Sequence, residues 1–186
     1  MPSLDLPEVG MHLRPIARAD LPRIAEIYNA AVPTLATMDT EPCLPDYWEV
    51  WFEEHDDAGR YCGFACCDTA DVVVGFVSLS PFARRGGYQA SAEISIYIDS
   101  KAQESGVGDA LCAFITGEAR ERGFTMVLGM FTANNERSRR ILKRCGYELA
   151  GSINGIAVKN GTLIDMEMWQ YPIPDNWAGL ERLEPQ

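Results

Sequence analysis

The sequence has little of what metal and redox chemistry needs. It carries two histidines, His12 and His55, and its six cysteines (43, 62, 66, 67, 112 and 145) include no C-x-x-C pair. That argues against zinc and against a disulfide framework, and for reduced, mostly buried thiols that pack as small hydrophobes. Cations are also scarce: 16 Lys and Arg against 27 Asp and Glu leave a net charge of −11. Nucleic acids and anionic membranes favour a basic face, so neither is an expected partner. No apolar run approaches the roughly 20 residues of a membrane-spanning helix. The opening MPSLDLPEVG is acidic and does not read as a signal peptide. No repeat, low-complexity segment or linker divides the chain. These absences leave a cytoplasmic, metal-free protein, and 186 residues at 47 % hydrophobic content suit one domain with a real core.

Periodicity then places the elements. His12–Ile16 reads as a first strand, and Asp20 as the cap of a helix carrying Leu21, Ile24, Ile27, Tyr28 and Ala31 at helical spacing. Three prolines break residues 32–45, and Pro45 opens a second helix with Trp48, Trp51 and Phe52 on one side and a solvated acidic end. Strands follow at Tyr61–Cys67, Val72–Ser80 and Ser91–Ile98, then a helix from Val107 to about Arg122 ended by Gly123. Phe124–Phe131 is a strand and Glu136–Cys145 a helix. Tyr147–Ala150, Ile156–Lys159 and Leu163–Gln170 are closing strands, with a turn at Asn160–Gly161. This order predicts a single α/β domain over residues 11–171, a mixed sheet with about four helices. Residues 1–10 and 172–186 read as loose tails.

Gly106 and Gly108 stand where a strand gives way to a helix, a place where unpaired N–H groups and the helix dipole suit an anion. The pair alone reads more as an ordinary strand-to-helix turn than as an anion site, without excluding the latter. Leu111 occupies the third glycine position of G-x-G-x-x-G, no G-K-[ST] follows, and Glu104 and Asp109 flank the turn with the wrong charge. Two neighbours alter that picture. The preceding strand alternates, with Ala92, Ile94, Ile96 and Ile98 on a core face and Ser91, Glu93, Ser95 and Tyr97 on a polar one. Further on, Arg137, Arg139, Arg140, Lys143 and Arg144 crowd into eight residues behind Asn135 and Ser138, which can cap that helix or bond a ligand.

With these residues assembled, the chain resembles the GNAT superfamily of N-acetyltransferases. Q-E-S-G-V-G (103–108) fits its (Q/R)-x-x-G-x-(G/A) motif, N-E-R-S (135–138) with K-R-C-G-Y (143–147) fits the second half-motif, and the strand order agrees over residues 11–171. Residues 27–42, 78–98 and 151–170 are similar to phosphinothricin acetyltransferases and to their relatives acting on methionine sulfone and sulfoximine. The resemblance implies acetyl-CoA as co-substrate, with no metal. Its pantetheine arm would pair with the backbone of Ile96, Tyr97 and Ile98. Its pyrophosphate would lie on Gln103, Glu104, Ser105, Gly106, Val107, Gly108 and Asp109, with Asn135 and Ser138 reaching it from the next helix. Glu93 matches the general base. Arg85, with Gly86, Gly87 and Tyr88, matches the region holding the substrate's acidic end, while Tyr28 and Glu41 fall in segments that wall the amine pocket. A homodimer is implied on the same ground. There are two departures: Gln103-Glu104-Ser105 replaces Arg-Gly-x, and Leu142 stands where many members carry Tyr and this subfamily often carries His.

The expected reaction is direct acetyl transfer to the primary amine of a small, amino-acid-like acidic substrate, because a guanidinium such as that of Arg85 binds carboxylate or phosphinate bidentately. A ping-pong route through Cys112 or Cys145 is the runner-up mechanism. Rival functions are a non-catalytic acyl-CoA-binding module, which Leu142 would suit, and an acetyltransferase for protein N-termini or lysines.

Overall fold

The computed structural model describes residues 4–55, 59–103 and 106–181. Strands β1 (Leu4–Leu6), β2 (Met11–Pro15), β3 (Cys62–Cys67), β4 (Val73–Pro81), β5 (Ser91–Ile98), β6 (Met126–Thr132), β7 (Glu148–Lys159) and β8 (Thr162–Pro172) form one sheet in the order β1-β2-β3-β4-β5-β6-β8-β7. Among the described strands only β5 and β6 run parallel to each other. Helices α3 (Val107–Glu121) and α4 (Glu136–Arg144) cover one face, where Leu111, Ile115 and Leu142 pack on Val77, Ile94 and Val127. Helices α1 (Leu21–Ala31) and α2 (Pro45–Glu54) cover the other, where Ile24, Ile27 and Trp48 meet Ala65 and Phe76. Each such side chain contributes roughly 1.5–3 kcal/mol by leaving water. This is the expected mixed α/β domain.

Four readings need correction. Neither described terminus is a loose tail. Leu4–Leu6 pairs antiparallel with β2, while Ile173 is fully buried and Asn176 Nδ2 donates to the carbonyls of Arg120 and Phe124 at 2.9 and 2.8 Å. Asp20 does not cap α1. Its carboxylate accepts from Ala17 N and from Arg14 Nη1, each at 2.7 Å, and so closes the turn before the helix. The two closing strands read at Tyr147–Ala150 and Ile156–Lys159 are one, β7, interrupted by register shifts between Leu149 and Gly151 and between Ile153 and Ala157.

Candidate active site

The parallel β5–β6 ladder is short. It joins Ser91 to Met126, Ala92 to Val127 and Glu93 to Leu128, and then stops, although β5 continues to Ile98 and β6 to Thr132. Beyond Glu93 the two strands part, and backbone groups on their facing edges are left without ladder partners. A cavity of about 330 Å³ lies in the gap. Ile96, Tyr97 and Ile98 line it from β5, Asn135 and Ser138 from the start of α4, and Gln103 from the segment before α3. An extended ligand bearing amides fits such a cleft, because β5 offers it the hydrogen bonds a neighbouring strand would have made.

The glycine turn adjoins this cleft. Glu104 and Ser105 lie outside the described residues. Gly106 has φ 99°, a left-handed conformation that favours glycine, and its carbonyl starts α3. Gly108 has a packing reason of its own, since a Cβ there would stand 2.5 Å from Ile141 Cδ1. Val107 and Gly108 are buried. Asp109 is neutralised rather than exposed to the cleft: Arg144 Nε and Nη2 donate to its two oxygens at 3.0 and 2.9 Å. Gly106, Val107, Gly108 and Asp109 do not line the cavity itself; they stand at the helix end beside it. Of the five clustered cations only Arg137 reaches the wall, where it donates to Gln103 Oε1 while Gln103 Nε2 donates to the Ile98 carbonyl at 3.0 Å. Arg139 turns away to Glu167, at 3.0 and 2.8 Å. Asn135 caps α4 through Ser138 N, at 3.1 Å.

A second cavity of about 750 Å³ meets the first, and Glu93, Ser95, Tyr97, Met130 and Phe131 are among the residues lining both. Glu93 therefore stands at the junction. Among the described residues nothing hydrogen-bonds or ion-pairs with its carboxyl, and burial raises its pKa above the ordinary value. Burial also pushes the neighbouring Tyr97 hydroxyl up to about 12. Tyr28, Tyr47, Trp48 and Trp51 wall the larger cavity, so its sides are largely aromatic. The Tyr28 hydroxyl lies 2.8 Å from Thr37 Oγ1 and donates to Asp39 Oδ2, and Lys159 Nζ pins the same loop by donating to the Thr37 carbonyl at 2.6 Å.

Other predicted residues lie elsewhere. Glu41 is exposed and lines neither cavity; Asp39, two residues earlier, does. Arg85, Gly86, Gly87 and Tyr88 are exposed and also off both walls, whereas Arg84 lines the larger cavity. His55 and Ser80, which line it too, were missed because His55 reads as the end of a solvated acidic helix. Their one available signal was the phase of Phe76, Ser78 and Ser80 on β4. Cys112 is buried in the core, where its contact with Cys145 and burial raise its pKa, and neither cysteine lines either of these two cavities. A direct transfer needs neither. One His–Cys–Asp group, His12, Cys67 and Asp71, gathers outside both cavities, but Arg14 Nε already donates to Asp71 at 3.2 Å.

The model of the acetyltransferase (GNAT) domain matches residues 11–148. The L-methionine sulfoximine/L-methionine sulfone acetyltransferase of Pseudomonas aeruginosa is 27 % identical over 159 residues, 85 % of this chain and 92 % of that protein. The crystal structure of a GNAT superfamily phosphinothricin acetyltransferase from Sinorhizobium meliloti, in complex with acetyl-CoA, superposes with a TM-score of 0.83 at 27 % identity, covering 88 % of this chain and 89 % of that one. A ribosomal-protein-alanine N-acetyltransferase from Brucella melitensis gives 0.81 at 30 % identity, over 87 % and 99 %.

Proposed function

Because this chain belongs to the GNAT acetyltransferase family and is an acetyl-CoA-dependent N-acetyltransferase, we propose that it acetylates the primary amine of a small, amino-acid-like acidic substrate of the phosphinothricin or methionine sulfone type, with Glu93 as general base. The observation that carries this reading is the position of Glu93: buried, unpartnered among the described residues, and at the junction of a backbone-lined cleft and an aromatic pocket.

Bound acetyl-CoA supplies the activated acetyl group. The backbone of Ile96, Tyr97 and Ile98 holds and orients its arm. The segment from Gln103 to Asp109, with Asn135 and Ser138, takes the pyrophosphate. The amine arrives as an ammonium without a lone pair, so it must lose a proton before attack. An ordinary amine titrates near 10 and an ordinary glutamate near 4.3, so burial of Glu93 narrows an unfavourable gap. Backbone N–H groups near Tyr97 steady the oxyanion. A thiolate of pKa about 8.5, by analogy with cysteine, leaves readily and can be protonated by water. Leu142, buried on the cleft wall, then costs the reaction nothing essential.

Free-thiol release from acetyl-CoA across a panel of amines tests this. Methionine sulfone, methionine sulfoximine and phosphinothricin are expected to be substrates. Release no faster than hydrolysis with every amine would point to a non-catalytic binding module. A second reading, acetylation of a peptide N-terminus, is favoured by the size of the larger cavity and by the Brucella relative. Short peptides in the panel separate the two.

We further place the enzyme in the cytoplasm, as its six free cysteines suit a reducing compartment. We also read it as a homodimer. Its edge hairpin β7–β8 exposes Leu149, Ile153, Ile156, Val158 and Leu163, an apolar group that a second copy could cover. Sedimentation of Leu163→Asp at lower mass than the parent is expected; a monomeric parent contradicts the dimer.

A further inference from the structure

The floor of the larger cavity is set by register. Across the β4–β5 ladder Ser80 faces Glu93, Ser78 faces Ser95 and Phe76 faces Tyr97, so these six side chains share one face of the sheet, and all line the cavity. His55, just past the end of α2, is 6 % exposed and stacks on the Trp51 ring at 4.1 Å between centroids. Its Nδ1 lies 2.6 Å from the Trp51 carbonyl and its Nε2 lies 2.8 Å from Ser80 Oγ.

The first contact places one proton, and the burial of the ring decides the other. A carbonyl only accepts, so Nδ1 must carry the ring proton. Burial lowers the pKa of His55 and keeps the ring neutral, which leaves Nε2 as an acceptor. Ser80 must then donate to it. With its proton committed to His55, the Ser80 oxygen offers only lone pairs elsewhere, and the neighbour facing it across the ladder is Glu93. Among the described residues no hydrogen bond reaches the Glu93 carboxyl, and two facing acceptors suit a group with several N–H bonds; an ammonium has three.

We propose that His55 and Ser80 are a positioning pair for the amine: His55 fixes the Ser80 hydroxyl so that its oxygen accepts one N–H of the substrate ammonium and presents another to Glu93. The pair changes no protonation state of its own. One proton passes from the amine nitrogen to the Glu93 carboxylate, and the lone pair thus formed is the one that attacks the thioester. The role rests on Glu93 being the base.

The test measures Ser80→Ala, Ser80→Thr, His55→Phe and the Ser80→Ala/His55→Phe double variant, with Glu93→Gln alongside. Ser80→Ala is expected to lower kcat/KM for the amine by about 10- to 100-fold, the worth of a hydrogen bond to a charged group, while KM for acetyl-CoA stays within about twofold. Ser80→Thr keeps the oxygen and should recover most of the loss. His55→Phe keeps the stack on Trp51 and should fall as Ser80→Ala does. The double variant should be no worse than the poorer single, because both changes act through the same Ser80 hydroxyl. Wild-type kcat/KM in Ser80→Ala overturns the proposal, as does an equal loss toward acetyl-CoA or a multiplied loss in the double variant. If His55→Phe does not fold, the two Ser80 variants decide. Turnover retained in Glu93→Gln removes the base and the pair's role with it. An inactive Glu93→Gln beside a wild-type Ser80→Ala removes the pair alone.

Discussion

Glu93 and Leu128 are the last residues paired between the two parallel strands of the sheet. The placing of Glu93 between the two cavities follows from where that pairing ends. Up to this point the ladder holds Glu93 rigidly. Past it the strands separate, so the same residue stands at the mouth of the cleft and on the wall of the aromatic pocket. A carboxyl anchored on a strand at a fork faces both cavities without moving.

The pH dependence of the reaction should carry the mark of Glu93. The proposed base works ionised, so kcat/KM for the amine should rise with pH through the Glu93 pKa, which burial lifts above the ordinary carboxylate range. Stability runs the other way. A carboxyl whose folded pKa is raised stabilises the fold below its unfolded pKa, and that contribution is lost as pH rises through the folded value. Glu93→Gln should therefore gain more in Tm, relative to wild type, at pH 8 than at pH 4. Melting curves at the two pH values check this, and equal differences would contradict it.

Gly106 should not accept a side chain. Its φ of 99° lies where L-residues are strained by about 1–2 kcal/mol, and Val9 Cγ1 stands 3.3 Å from the position a Cβ would take. Gly106→Ala is expected to lose stability of about that size by chemical denaturation and to raise KM for acetyl-CoA more than KM for the amine. A variant unchanged in both respects would leave the turn without its assigned role.

The substrate's acidic end is expected to depend on Arg84. A charge-assisted hydrogen bond is worth about 1.5–3 kcal/mol, so Arg84→Ala should raise KM for methionine sulfone tenfold or more and leave KM for acetyl-CoA within about twofold. Arg85→Ala, exposed and off the cavity wall, should do less. The reverse order would return the role to Arg85. No effect from either would remove the acidic substrate.

Particular residues show what was legible in the sequence. Ser91–Ile98 is bounded as its alternation predicts, because a strand with one core face leaves only one register. Gly106 and Gly123 mark the limits of α3 through their positive φ. β7 was hidden because its two register shifts break the alternation, and Asp165 Oδ1 accepts from Gly155 N to hold the Asn154–Gly155 stretch within the strand rather than as a loop. The C-terminal end was hidden because Ile173 N donates to Thr125 O, far away in sequence, and the N-terminal end because Leu4–Leu6, which pairs with nearby Met11–Leu13, is too short a strand to show an alternation. At the site, Glu93 and the start of α4 lie on regular elements whose phase the sequence states, while Gln103 lies in the irregular segment before α3 and was reached through its motif. Asp39 against Glu41, and Arg84 against Arg85, lie on irregular segments where no periodicity says which neighbour turns inward. His55 needed a tertiary contact, with Ser80, to be noticed at all.

The most direct test of the central claim is the turnover of Glu93→Gln with acetyl-CoA and methionine sulfone, measured beside the affinity of the same variant for CoA by titration calorimetry. The amide keeps the size of the carboxyl but cannot take the ammonium proton. The expected result is a fall in kcat of about 100-fold or more with CoA affinity within about twofold of wild type. Wild-type turnover with the same affinity would contradict it.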